Sequence, residues 1–322
     1  MDNFSETTSF PFLLRPSFKD YIWGGERLRT VFGKKTEISP LAESWECSTH
    51  PDGPSYAASG AFDGQALAEI LKAHPEFLGS RALALTGGKP ELPILVKLID
   101  AKRDLSVQVH PDDAYALSKE GQPGKTEMWY VLDAEPGSSL VCGLAEKAGK
   151  EEFKKAALDG SVMQILRKVP VKKGDVFFIS PGTVHAIGAG VLVAEIQQSS
   201  NLTYRLYDYG RLGADGKPRQ LHLDKAMDVA DLAPHPVDTR MSCKYFTVKE
   251  LDLAGHGSWI LMKADAQSFH ALLCTEGSAV ISIPGGRDAA KLAVSKGDCV
   301  FVPACGDDLE LKGSAFLLDI CC

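Results

Sequence analysis

The stretch LSVQVHPDDAYALSKEGQPGKTEMWY, residues 105–130, decides how this chain is read. Its first residues alternate, so Ser106, Gln108 and His110 fall on one face of a strand, with Val107 and Val109 on the other. A helix-prone insert follows. Lys125-Thr126-Glu127 then opens a second apolar run, residues 128–132. Residues 174–185, GDVFFISPGTVH, end on another histidine. Two imidazoles, a carboxylate and a Gln amide on separate strands can converge on one divalent ion. That donor set suits zinc or another borderline metal with room left for water or substrate. It is unlike the many-carboxylate cage that calcium takes. Taken singly, each residue has an ordinary use: a His before Pro turns the chain, and a Glu before an apolar run ends a strand in solvent. The joint arrangement is what points to a metal.

Composition narrows the classes. A chain of 322 residues with 44% hydrophobic and 24% charged residues is that of a soluble globular protein large enough for two domains. A net charge of −7 and the absence of a Lys/Arg-rich run argue against nucleic-acid binding. No stretch approaches the length of a membrane span, and the first residues, MDNFSETTSFPF, do not read as a signal peptide. The eight cysteines include no C-x-x-C pair. Their spacing reads as reduced, mostly buried thiols in a cytoplasmic protein.

Outward from the opening stretch, residues 11–60 hold short apolar pieces between turns and read as β-rich. Residues 65–78 have helical spacing through Leu67, Ile70 and Leu71, with Pro75 ending or kinking the helix. Residues 92–99, LPILVKLI, read as a buried strand interrupted by Lys97, whose amine needs water, an anion or a carboxylate. Residues 149–169 read as a helical pair, the second helix capped by Ser161 and running through Met163, Ile165 and Leu166. In residues 191–209, alternation groups Val193, Glu195 and Gln197 on one face, and Thr203, Arg205 and Tyr207 on another. The Pro-bearing segment 232–238 marks a boundary between units 1–236 and 237–322. Lys296-Gly297-Asp298 and the apolar run after it echo Lys173-Gly174-Asp175, but no histidine follows Pro303. The second unit therefore reads as a structural copy of the first without a metal.

Here a family resemblance becomes specific. Gly174-Asp175 with Pro181-Gly182-Thr183-Val184-His185 resembles the second motif of cupin barrels. Ser106-Val-Gln108-Val-His110-Pro, Lys125-Thr-Glu127-Met-Trp and Pro181-Gly-Thr-Val-His185-Ala, in that order, resemble the type I mannose-6-phosphate isomerase family in its short bacterial form. The run from Asn201 to Arg205, Trp23-Gly24 and Glu43-Ser-Trp45-Glu46 resemble it too. The resemblance implies a mainly β protein: a cupin jelly-roll barrel with helical insertions and a degenerate second β domain. It implies interconversion of mannose 6-phosphate and fructose 6-phosphate through a cis-enediol. Gln108, His110, Glu127 and His185 would hold one zinc ion per chain. Arg205 matches the family's active-site arginine, and a salt bridge to Glu195 is its alternative use. Lys125, Ser106 and Lys97 would contact substrate or phosphate, Lys125 sharing a strand face with Glu127. For proton transfer Glu195 is the choice, with a metal-bound water or a lysine as alternatives. Trp23 and Trp45 are expected in the core, Trp23 also at the pocket mouth. The competing readings are another metal-dependent cupin enzyme, such as an iron dioxygenase, and a sugar-phosphate-binding cupin without turnover.

Overall fold

Three antiparallel sheets carry the chain in a computed structural model that describes residues 9–213, 216–263, 265–284 and 291–322. Central to the first sheet is Ile94–Ala101, flanked by Val191–Gln198 and Glu43–Cys47. Glu127–Ala134 and Val176–Ile179 extend it on one side, Ser17–Lys19 on the other. The central strand is buried along its whole length because both of its faces are covered. Ile94, Val96 and Leu98 point into the largest apolar core. Lys97, Ile99 and Ala101 lie on the opposite side, where Ile99 and Ala101 pack with Trp129, Val131 and Val193.

The second sheet runs in the order Tyr204–Tyr207, Val107–Val109, His185–Ile187, Ser139–Leu144, Leu166–Pro170. Its Leu140, Cys142 and Ile187 meet Trp129, Val131 and Val193 of the first sheet, so the two sheets close face to face around one interior. Its other face, through Val107, Val109, Ala186 and Leu206, is covered by Phe153 and Ala156 of the helix Lys150–Asp159 and by Ala226 and Met227 of the helix Leu223–Val229. The helix Asp113–Glu120 starts where Asp112 Oδ1 accepts the Tyr115 N–H at 2.9 Å. It stops at Gly121 in the left-handed region, φ 67°.

The third sheet gathers the C-terminal strands, including His270–Ser282 and Leu309–Cys321. It also takes two strands from the start of the chain: Phe12 pairs with Phe301 and Leu14 with Ala57. The Lys-Gly-Asp echo is physical. Asp175 Oδ2 accepts the Lys172 N–H and Asp298 Oδ2 accepts the Ser295 N–H, closing the same turn in each unit.

The helix read over 65–78 runs from Leu67 to Ala73 and ends just before Pro75, as the proline implies, but the segment after it differs from the expectation. After Pro75 come a 3-10 turn to Leu78 and a further helix, Gly79–Leu85. Leu166, read as helical, begins a strand; the second helix is a single 3-10 element, Ser161–Gln164, and Ser161 does not cap it: Gly160 stands at the N-cap, and the Ser161 hydroxyl donates to Asp159 Oδ1 at 2.6 Å. Leu166 pairs with Leu144, and that sheet contact overrides the local helical spacing. All eight cysteines are free thiols; five are buried, and Cys305 is exposed. No helix among the described residues is long and apolar enough to cross a membrane.

Candidate metal centre and active site

Strand register brings the polar residues together. In the second sheet Gln108 pairs with His185 on one side and with Arg205 on the other, so the three stand in a row across neighbouring strands. In the first sheet Glu195 pairs with Trp129 and with Lys97. Glu127 lies two residues from Trp129 and so shares its face. The two rows face each other across the barrel interior. Gly182 completes the approach of His185: at φ 86° it turns the chain, and its N–H donates to the His110 carbonyl at 2.9 Å.

His110, Glu127 and His185 form a fully buried cluster. The Nε2 atoms of His110 and His185 are 3.2 Å apart. Glu127 Oε2 is 3.4 Å from His110 Nε2, and Glu127 Oε1 is 3.3 Å from His185 Nε2. Zinc–nitrogen bonds of about 2.0–2.1 Å at tetrahedral angles separate ligand atoms by roughly 3.3 Å. The Gln108 amide reaches to 3.4 Å from His185 Nε2, and turning the amide presents its oxygen there. His185 donates Nδ1–H to the Thr183 carbonyl at 2.8 Å, which leaves Nε2 bare toward the cluster. Neither Glu127 oxygen makes a well-aligned hydrogen bond, though both are buried. Four donors at ligand spacing with unsatisfied buried oxygens fit a divalent metal.

The electrostatics agree. Burial, then Lys125, pushes the His110 imidazole down to about 3, and burial also lowers His185. Both rings are therefore neutral, the form that ligates metal. Burial alone raises the Glu127 carboxyl, but Lys125 and His110 outweigh it and hold it well below the ordinary carboxylate range. Lys125 Nζ stands 2.8 Å from Glu127 Oε2 and 3.3 Å from His110 Nε2.

A cavity of about 300 Å³ opens beside the cluster, lined by Gln108, Lys125, Lys97, Glu195, Ser106 and Arg205 among others. Each substrate-contact residue expected from the sequence lies on this wall. Lys97, the cation interrupting an apolar strand, is 3.6 Å from Glu43 and 3.3 Å from Glu195. Burial lowers its ammonium, but the two carboxylates outweigh burial and raise it. Glu195 Oε2 accepts the Trp129 indole N–H at 2.9 Å, while its buried Oε1 has no hydrogen-bond partner among the described residues. Burial raises the Glu195 carboxyl, partly offset by Lys125. Arg205 bonds Ser106 Oγ at 3.2 Å and the Gln220 carbonyl at 3.0 Å; among the described residues it makes no ion pair with Glu195. Trp23 does both of its expected jobs, packing the core and lining the cavity, and Trp45 is wholly buried.

The sequence reading passed over Tyr21, Thr203 and Arg219, which also line the cavity. Arg219 comes from an irregular segment with no periodicity to place it. For Thr203 a signal was available, since it shares a strand face with Arg205 by alternation.

The loop carrying Lys125 and Glu127 is anchored from behind. Gln198 Oε1 accepts the Thr126 N–H at 2.9 Å, and Gln198 Nε2 donates to Asp113 Oδ1 at 2.9 Å. Asp113 also accepts the Gly124 N–H at 3.0 Å and the hydroxyl of Tyr245 at 2.5 Å. Gln198→Leu is expected to lower metal affinity by about 10–100-fold, as loss of a group supporting a ligand does. Titration of wild-type and variant protein with zinc in a competing chelator checks this; equal affinities would show that Glu127 does not need the anchor.

Comparison with known proteins agrees with this geometry. Residues 12–136 match the family described as phosphomannose isomerase type I, catalytic domain. Mannose-6-phosphate isomerase ManA of Bacillus subtilis is 38% identical over 266 residues, covering 78% of this chain and 82% of its own length. The chain belongs to the type I mannose-6-phosphate isomerase family. The mannose-6-phosphate isomerase of Streptococcus mutans is 42% identical over 219 residues, 68% of this chain and 67% of that protein. A crystal structure of the mannose 6-phosphate isomerase from Bacillus subtilis superposes with a TM-score of 0.86 at 34% identity, covering 96% of this chain and 99% of that one. The fold is thus the family's cupin barrel.

Proposed function

We infer that this chain interconverts mannose 6-phosphate and fructose 6-phosphate through a cis-enediol. The observation carrying this reading is the His110–Glu127–His185 cluster beside a cavity whose wall holds Gln108, Lys97, Lys125, Glu195 and Arg205, in a chain of this family. In this reading Gln108, His110, Glu127 and His185 hold one zinc ion per chain. When bound, the ion supplies positive charge beside the oxygen that becomes anionic in the enediolate.

The remaining chemistry belongs to side chains. Glu195, whose Oε1 accepts no hydrogen bond among the described residues and lies 3.3 Å from the Lys97 ammonium, takes the proton from C2 of the open-chain aldose and returns it to C1. The raised carboxyl suits that exchange, since burial makes the carboxylate a stronger base than an exposed one. Trp129 fixes the other oxygen of Glu195 and so aims the carboxylate. Lys97 keeps Glu43 and Glu195 compensated within the interior. Lys125 lies between Glu127 and Glu195, placed to donate to a substrate hydroxyl, and Ser106 and Arg205 face the phosphate end.

Residues 1–236 are the catalytic unit in this reading and 237–322 a β unit without metal. Tyr245 of the second unit supports the first through Asp113. A cytoplasmic location is part of the same reading, since eight free thiols suit a reducing compartment.

The test is turnover. Purified protein loaded with zinc should convert mannose 6-phosphate to fructose 6-phosphate with no oxygen consumed. Oxygen uptake without ketose would favour an iron-dependent cupin reaction. Binding of the sugar phosphate with no product over hours would favour a binding protein.

A further inference from the structure

One short turn beyond the boundary segment braces both arms of the His110–Glu127–His185 cluster. Residues 243–246 are closed by the Cys243 N–H, which donates to the Phe246 carbonyl at 2.8 Å. Phe246 is wholly buried and roots the turn in the largest apolar core. Its ring lies 6.3 Å from that of Phe178, on the strand Val176–Ile179 that leads to His185. Tyr245, the next residue back, reaches the other arm. Its hydroxyl donates to Asp113 Oδ2 at 2.5 Å, and Lys244 Nζ stands 3.5 Å from the same oxygen.

Asp113 passes this hold to the loop that carries Lys125. Its Oδ1 accepts the Gly124 N–H at 3.0 Å and Gln198 Nε2–H at 2.9 Å. Gly124 lies so close to the start of the helix that a Cβ there would stand 2.4 Å from the Asp112 carbonyl carbon. A shift of Asp113 is therefore transmitted to Gly124, with no slack to absorb it. The next two amides are held as well: Lys125 N–H by the Pro111 carbonyl at 3.0 Å, Thr126 N–H by Gln198 Oε1 at 2.9 Å. Behind the loop is a cavity of about 550 Å³, lined by Gln122, Pro123, Gln198, Asp113 and Tyr245 among others. Packing leaves the loop open on that side, so these hydrogen bonds do the holding. Burial raises the Asp113 carboxyl, but the bonds from Tyr245, Gln198 and Gly124 outweigh it and keep it ionised as their acceptor.

We infer that Tyr245 is a positioning residue for the reaction: through Asp113 its hydroxyl fixes the loop 121–126, and with it Lys125 and Glu127, beside the two histidines. Tyr245 is not among the residues lining the cavity beside the cluster, so the C-terminal strands serve the site without touching substrate. The effect on turnover rests on the isomerase reading; the effect on the loop and on metal affinity does not.

The experiment compares full-length wild type, Tyr245→Phe, Asp113→Ala and the double variant. It reads amide hydrogen exchange at Gly124 and Thr126 in metal-free protein, zinc affinity against a competing chelator, kcat and KM for mannose 6-phosphate at saturating zinc, and the urea midpoint. Tyr245→Phe keeps the ring and loses only the hydroxyl. Exchange at the two amides should quicken by about 10–100-fold, the scale of one hydrogen bond to a charged group. Zinc affinity should fall by about 10-fold, and kcat by roughly 10-fold with KM little changed, because Lys125 and Glu127 are no longer held in place. In the Asp113→Ala background the same hydroxyl deletion should add little, since its effect runs through that carboxylate. A lower urea midpoint with wild-type exchange, zinc affinity and kcat would make Tyr245 a staple of the fold alone and overturn the inference; fully additive effects in the double variant would overturn it too. Should Tyr245→Phe not fold, Asp113→Asn decides by the same exchange and affinity. A wild type that turns over no mannose 6-phosphate, with loop exchange and zinc affinity still altered in Tyr245→Phe, would sink the isomerase reading and leave the positioning role standing.

Discussion

Replacement of His185 by Ala is expected to remove bound metal and cut turnover at least about 10²–10³-fold, the scale set by losing one preorganised group that stabilises an oxyanion. The imidazole is fully buried and contributes the Nε2 closest to that of His110, at 3.2 Å. Its Nδ1 bond to the Thr183 carbonyl fixes Nε2 as the nitrogen that faces His110 and Glu127. Without it, Gln108 loses the atom it reaches across the strand pair. The variant keeps its sheet register, because the His185 backbone pairs with Gln108 and Cys142 whatever the side chain. Circular dichroism should therefore match wild type while zinc content falls. A variant that retains stoichiometric zinc and near-normal kcat would remove His185 from the ligand set.

Lys34→Met is expected to be the most destabilising single change far from the site, by about 3–5 kcal/mol, the cost of leaving a buried charge without its partner. Lys34 Nζ lies 2.6 Å from Glu46 Oε1 and 2.7 Å from Oε2, and Glu46 is 0% exposed. The same ammonium donates to the Gly297 carbonyl at 2.5 Å, fastening the early chain to the Lys296-Gly297-Asp298 turn of the last sheet. Burial raises the Glu46 carboxyl, and Lys34 is the largest influence pulling it back. Losing Lys34 therefore raises it further. A raised carboxyl adds stability below its unfolded pKa, lost as pH rises through the folded value. The deficit of the variant should be smaller in mild acid than at neutral pH. Urea unfolding at both pH values measures this; a deficit independent of pH would show that Glu46 is not the group left exposed to the loss.

The candidate cluster was legible because strand alternation is local. Gln108 and His110 sit two residues apart, and Lys125 and Glu127 likewise, so a short window carries their shared face. Lys97 and Glu195 were legible for another reason: a charge inside an apolar strand has to be compensated, and each compensates the other. What stayed hidden depended on distant pairing. Phe12 finds Phe301, and no local pattern says that the chain's first strand closes its last sheet. Leu166 left its helical spacing because Leu144 offered a ladder partner. Arg219 reaches the cavity through Asp208 and a strap along Arg205, contacts that exist only once the barrel has closed.

The most direct measurement of the central claim is stepwise return of zinc to chelated protein, with metal content and fructose 6-phosphate formation followed together. Activity should be absent at the start, rise in proportion to bound zinc and level off at one ion per chain, with no such rise in His185→Ala. Full turnover by the metal-free chain would contradict the account.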